Sequence, residues 1–301
     1  MLKTLAKGAL AGFLGLALVA AAPAPDMETP AKTLFGGVKK PSDQKEAPIG
    51  FYAKGCLAGA VALPIDGPAW QVMRLSRNRN WGTPELVSYL EKFATDARRY
   101  DGWPGLLIGD MSQPRGGPMA SGHASHQIGL DVDIWYDKMP DRTLTAEERE
   151  KKSATSLTKP KTHFDLEPAN WPAGIEKLLK RAASYPEVER IFVNPGIKKR
   201  LCDTAGPDRA WLAKLRPFYL HNDHFHVRLR CPAGAKDCIA QTPPASDDGC
   251  GKDLEYWLSG KPWEPPPKPV KPVKPKPPLT LAGLPKACTG VLYARDAAEK
   301  T

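Results

Sequence analysis

Five of the six histidines in this 301-residue chain fall in two short segments. The first, "GHASHQIGLDVDIWY" (122–136), places His123 and His126 ahead of Asp131 and Asp133. The second, "HNDHFHVRLRCP" (221–232), carries His221, His224 and His226. A lone histidine is ordinarily structural, but five gathered beside carboxylates are not well explained by packing. Neutral imidazoles plus one carboxylate suit zinc, and a catalytic zinc needs three protein ligands with one position left to water. His126, Asp133 and His226 supply that set. The ion would lower the pKa of its water to about 7 and polarise a carbonyl. His224 lies one pleat repeat from His226 and can serve as the base. His221 would orient His224 or hold a developing oxyanion, and Arg228 or Arg230 could bind an anionic substrate group. No HExxH helix occurs, and Ser112, Ser121 and Ser125 stand in neither a G-x-S-x-G nor an S-x-x-K setting.

The flanking pattern predicts how these groups are carried. In "LDVDIWY" alternation puts Leu130, Val132, Ile134 and Tyr136 on one strand face and Asp131, Asp133 and Trp135 on the other. "HFHVRLR" alternates likewise, with Phe225, Val227 and Leu229 opposite His224, His226, Arg228 and Arg230. "GLLIGDMS" (105–112) and "VERIFVNP" read as further strands. "TPELVSYLEKFATDARRY" (83–100) has a helical apolar stripe, Leu86, Tyr89, Leu90 and Phe93, behind a Thr83 cap. "AGIEKLLKRAAS" (173–184) is a second amphipathic helix. Helices interleaved with short strands favour an α+β fold: a single domain with a central antiparallel sheet carrying the zinc site.

The N-terminus has lysines at 3 and 7, then an apolar run from Gly8 to Ala22 that is short and rich in Ala and Gly. It fits a signal peptide over 1–21, cut after Ala21, and not a membrane anchor. Residues 22–47 are expected to be a mobile leader, 48–260 the domain with the zinc site, 261–279 a Pro/Lys-rich tether and 280–301 a C-terminal segment. Export makes Cys56, Cys202, Cys231, Cys238, Cys250 and Cys288 readable as three disulfides, with about 15 pairings open. The formal charge of +10 calls for an anionic partner; for an exported chain, envelope polymers fit better than nucleic acid. The tether holds five lysines and nine prolines between 261 and 278 and should be extended polyproline II.

The spacing H-x6-D (His126 to Asp133) followed by H-x-H (His224 to His226) resembles the LAS metallopeptidases. That group joins D-alanyl-D-alanine carboxypeptidases, vancomycin-resistance dipeptidases and the Hedgehog zinc domain. "QVMRLSRNRNWG" (71–82), "LIGDM" (107–111), "GHASHQIGLDVDI" (122–134), "RIFVNPGIKK" (190–199) and "HVRLRCP" (226–232) are similar to segments of its murein endopeptidase branch, family M74, over roughly residues 50–255. The resemblance implies a periplasmic zinc endopeptidase that cuts the D-alanyl–meso-diaminopimelyl cross-link of peptidoglycan. It implies His126, Asp133 and His226 as ligands, His123 sometimes counted with them, and His224 and His221 as catalytic or supporting imidazoles. It also implies the disulfides Cys56–Cys288, Cys202–Cys250 and Cys231–Cys238. The family's second metal site has an aspartate three residues before a histidine, and here Pro160 precedes His163. A carboxypeptidase for free D-Ala–D-Ala ends and a non-catalytic zinc-holding wall binder are the rival readings.

Overall fold

The structure is a computed structural model and describes residues 25–265 and 276–298. Seven strands form its main sheet: β1 (Asp66–Gly67), β2 (Trp70–Val72), β3 (Leu106–Ile108), β4 (Asp131–Trp135), β5 (Val188–Val193), β6 (Leu215–Pro217) and β7 (His224–Leu229). Their spatial order is β6-β5-β7-β4-β3-β2-β1. The centre, β5-β7-β4-β3, is antiparallel, as expected. The flanks differ: β6 runs parallel to β5 and β2 parallel to β3, so the sheet is mixed. The cause is connectivity. A helix, Pro84–Asp101, lies between β2 and β3, and another, Pro195–Thr204, between β5 and β6. Such crossovers return the chain parallel, whereas a tight hairpin returns it antiparallel.

The apolar faces of β4 and β7 build the core. Val132, Ile134, Phe225 and Val227 are fully buried, in one cluster with Leu86, Tyr89, Leu90 and Phe93 of Pro84–Asp101 and Leu178 and Leu179 of Ile175–Ser184. Burying each such large side chain stabilises the fold by about 1.5–3 kcal/mol. Thr83 caps the first helix, its hydroxyl accepting the Leu86 N–H at 3.3 Å. The opposite face of β4 is covered too: all five residues Asp131–Trp135 are buried, so its aspartates are not a solvated face.

The three disulfides are Cys56–Cys288, Cys202–Cys250 and Cys231–Cys238, the pairs implied by the resemblance. The first explains how part of the expected mobile leader over 22–47, around Ala31 and Phe35, is packed. Residues Ala31–Gly37 form a helix, and Ala31 and Phe35 are buried with Cys56, Leu281, Leu284, Cys288 and Val291. The buried Arg115 adds to this seam, donating to the carbonyls of Val291 at 3.0 Å and Ala294 at 2.9 Å and to Asp296 at 2.7 Å. Leader and C-terminal segment thus make one small core that neither could build alone. The tether also departs from expectation at its start. Lys261–Trp263 is a 3-10 turn, and Trp263 stacks on His163 with ring centroids 4.3 Å apart. The signal-peptide residues 1–21 and tether residues 266–275 lie outside the described residues.

Candidate metal centre

Strand pairing brings the two histidine segments together. Across β4 and β7, Asp133 is directly opposite His226, Trp135 opposite His224 and Asp131 opposite Arg228. Residues directly opposite share a face, so alternation within each strand plus this register assembles the polar cluster. His126 reaches it from the loop before β4, with its backbone in the left-handed region at φ 66°. That conformation is held from both sides: the Ser112 hydroxyl donates to the His126 carbonyl at 2.7 Å, and the His126 N–H donates to Asp131 Oδ2 at 3.2 Å. Gly129, at φ 73°, completes the turn; a Cβ there would stand 2.4 Å from Leu57 Cδ2.

Asp133 Oδ1 is the point of convergence. His126 Nε2 is 3.4 Å away, His226 Nδ1 3.7 Å and His224 Nε2 3.7 Å, while His123 Nδ1 stands 3.3 Å from the other oxygen, Oδ2. The remaining nitrogens are committed. His126 Nδ1 donates to the Met111 carbonyl (3.1 Å), His226 Nε2 to Asp131 Oδ1 (2.7 Å) and His224 Nδ1 to Asp223 (2.6 Å). In neutral rings these bonds leave the lone pairs of His126 Nε2, His226 Nδ1 and His224 Nε2 facing Asp133. Both His126 Nε2 and Asp133 Oδ1 are buried without a hydrogen-bond partner. Buried polar atoms are almost always satisfied, and two imidazole nitrogens facing a carboxylate oxygen are a donor set for a divalent cation. The residues fit a metal.

Among the described residues, His123, His126 and Asp133 form a group whose candidate ligand atoms all lie within 4.8 Å of one another. His226 belongs to the same cluster through Asp133, and its ring centroid is 4.5 Å from that of His126. His123 differs in being tied elsewhere: its Nε2 is 3.0 Å from Asp110 Oδ2, an oxygen that also accepts from Arg79 (2.7 Å) and Arg77 (3.0 Å). Burial opposes the Asp110 charge, but His123 and the two guanidiniums bring it down to about 2.

The carboxylates draw positive charge into the cluster: although burial opposes it, Asp133 raises both His126 and His224. Burial disfavours a charged Asp133, yet His126, His224 and His123 hold it well below the usual carboxylate range. Burial, then the neighbouring His126, pushes His226 down to about 4, so at pH 7 it is in the neutral form, the form able to coordinate a metal. His221 is pushed down to about 3 by burial and by His224 and His226. Its Nδ1 donates to the Tyr219 carbonyl at 2.7 Å, so a neutral His221 offers an acceptor at Nε2 and not the donor an oxyanion would need. Its ring is 5.0 Å from that of His224, and its backbone, like that of Leu220, is left-handed.

Three contributors were not singled out by sequence reasoning. Asp131 is completely buried and binds both His226 and Arg228 Nε at 2.7 Å. Alternation had placed it on the right face, and the Arg228 opposite was the available signal. Asp110 and Ser112 belong to "LIGDMS", whose approach to the loop is a tertiary event without a local signature. His163 lies apart, in the stack with Trp263. Arg228 faces inward, buried between the rings of Tyr52 and Phe192, whereas Arg230 is exposed.

An α+β core bearing a buried imidazole–carboxylate cluster at the sheet centre is joined by sequence kinship that defines the class as a peptidase. More narrowly, the chain belongs to the penicillin-insensitive murein endopeptidase family, whose model matches residues 48–293. It is 44% identical over 232 residues to the penicillin-insensitive murein endopeptidase of Haemophilus influenzae, covering 76% of this chain and 78% of the relative. The proteins of that name from Klebsiella pneumoniae (41%, covering 87% of this chain and 92% of the relative) and Yersinia enterocolitica (40%, covering 94% and 97%) are similar over still more of their length.

Proposed function

We propose that the protein is an exported zinc endopeptidase that hydrolyses the D-alanyl–meso-diaminopimelyl cross-link of peptidoglycan. The observation that carries the metal assignment is the pair of buried, unpartnered atoms, His126 Nε2 and Asp133 Oδ1, facing each other 3.4 Å apart. His126, Asp133 and His226 are the proposed ligands, with His123 adjoining them. Bound there, zinc supplies Lewis-acid polarisation of the scissile carbonyl and makes water acidic enough to ionise near pH 7.

The chain's own groups then orient and move protons. Asp131 and the Met111 carbonyl fix the tautomers of His226 and His126. His224 Nε2 faces the cluster while its Nδ1–H is anchored on Asp223, the geometry of a base oriented by a carboxylate. It would take the water's proton at Nε2 and return it to the leaving amine. His221, with Nε2 free to accept, assists as a second imidazole. No serine nucleophile is used, so a β-lactam has nothing to acylate.

Peptidoglycan as substrate follows from family membership and is supported by the net charge of +10. An extracytoplasmic location accords with three disulfides, which persist in oxidising compartments. Among the described residues no helix is long and apolar enough to cross a membrane. Digestion of purified sacculi tests the reading. Conversion of cross-linked muropeptides to monomers supports it; release of free D-Ala alone would make the protein a carboxypeptidase, and an unchanged profile a binder.

A further inference from the structure

A cavity of about 280 Å³ opens beside the cluster and brings together Asp133, His224, Trp135, Asp110, Arg77 and Arg74. Its acids already have partners. Asp110 is shared by Arg77, Arg79 and His123, Asp223 is held by His224, and Asp133 faces the imidazoles. Arg74 alone among these cations has no ion pair within the described residues. Its polar contact is a long one, Nη1 to the Arg149 carbonyl at 3.3 Å. Glu150, which follows Arg149, feels the Arg74 charge but is hydrogen-bonded by the Ser76 N–H at 2.7 Å and hydroxyl at 2.9 Å, not by Arg74.

Two features show that this guanidinium is placed and not merely solvated. It lies over the Trp135 ring, 5.6 Å from the centroid, and Trp135 is the cross-strand neighbour of His224. The Arg74 backbone is left-handed at φ 57°, a conformation costly for a non-glycine residue, and its N–H is tied to the Arg149 carbonyl at 3.2 Å. A strained backbone thus aims a planar cation that has no ion pair among the described residues into the cavity that holds the proposed base.

We propose that Arg74 determines specificity by binding the free carboxylate on the amine-side residue of the cross-link. This rests on the endopeptidase reading above. In a D-alanyl–diaminopimelyl amide, the carbon bearing the acylated nitrogen also bears a carboxylate, two bonds from the nitrogen that leaves. Any pose that brings the scissile amide to Asp133 and His224 therefore brings this anion into the same cavity. A guanidinium grips a carboxylate through two parallel hydrogen bonds, which fixes orientation as well as charge.

The test uses two synthetic cross-linked peptide dimers, identical except that the amine-side diaminopimelyl carboxylate is free in one and a carboxamide in the other. The full mature protein should show a KM about 10- to 100-fold lower for the free acid, the range expected of a charge-assisted hydrogen-bonded pair. Arg74→Gln should raise KM for the free acid to the carboxamide level, with kcat within a few-fold and zinc content unchanged. Arg74→Lys, which keeps charge but not the fork, should fall between. Equal KM values in the wild type refute the inference even if Arg74→Gln does not fold, and Arg74→Lys, with its intermediate KM, then assigns any preference to this side chain. Equal KM values in the wild type, or a preference that survives in Arg74→Gln, overturns the inference. Cleavage of neither dimer by the wild type overturns the endopeptidase reading, and the inference with it.

Discussion

Asp131→Asn is the sharpest perturbation of the proposed site, because it changes one atom of a residue that touches no substrate. Asp131 Oδ1 accepts from His226 Nε2 and Arg228 Nε, both at 2.7 Å, and Oδ2 accepts the His126 N–H. An asparagine retains one acceptor and must turn an amide N–H toward either His226 or the His126 N–H. Either orientation removes a bond, and the first frees the His226 tautomer. Arg228 keeps Gln241 at 2.7 Å but loses its carboxylate in a fully enclosed setting. Leaving such a charge uncompensated costs about 3–5 kcal/mol, and the Gln241 contact argues for the lower end. Losing the carboxylate behind a ligating histidine typically weakens metal binding about 10- to 100-fold. Urea unfolding of the metal-free proteins reads the first quantity, and zinc competition against a chromophoric chelator reads the second. Asp131→Leu combined with Arg228→Met should recover much of the stability, since it removes both charges, but not the zinc affinity. If Asp131→Asn holds zinc within a factor of two of the wild type and unfolds at the same urea concentration, the positioning argument is wrong.

His224→Ala should keep its zinc yet lose about 10²–10⁴ in turnover of a cross-linked dimer; metal analysis that finds the variant empty would make His224 a ligand instead. Chelation should abolish activity while far- and near-UV circular dichroism stay native, because the apolar core and three disulfides do not depend on the ion. Unfolding on chelation with intact disulfides contradicts this. Cys56→Ser with Cys288→Ser opens a link spanning 232 residues, for which the loop-entropy relation gives a loss on the order of 5 kcal/mol; limited proteolysis should then cut first in residues 31–47 and 280–298. Burial, with Arg216 nearby, pushes the Lys198 ammonium down to about 7 from 10.5. Between these values the unfolded chain binds more protons than the folded one, so this group's contribution makes stability rise from pH 7 to 10. Lys198→Met should flatten that rise, measured as the difference between the two unfolding curves.

The site was legible where it depended on strand periodicity. Alternation in "HFHVRLR" and "LDVDIWY" put His224, His226, Asp131 and Asp133 on polar faces, and the observed register simply laid those faces side by side. The Thr83 cap was equally local, since a hydroxyl three residues ahead of an N–H is a one-turn interaction. What the sequence concealed was set by contacts distant along the chain. Asp131 shares a face with Asp133, yet Asp133 lies in the cluster and Asp131 behind the proposed ligand His226, a difference decided by Arg228 and the left-handed His126 loop. The segment 31–47 reads as polar leader because its few apolar groups, Ala31, Leu34, Phe35, Val38 and Ala47, are insufficient alone. They become core only against residues 281–292, which Cys56–Cys288 draws in from the far end of the chain. The mixed sheet escaped for a similar reason: of its two crossover helices only 83–100 was visible in the sequence, Pro195–Thr204 was not, and a strand's partner is chosen by where the crossover lands.

The central claim, metal-dependent cleavage of the cross-link, is tested most directly on a purified D-alanyl–meso-diaminopimelyl muropeptide dimer, with products followed by mass spectrometry. The metal-stripped protein should leave the dimer intact, stoichiometric zinc should restore its conversion to two monomers, and a β-lactam in excess should change nothing. Cleavage that persists in the stripped protein, or stops when the β-lactam is added, would contradict the account.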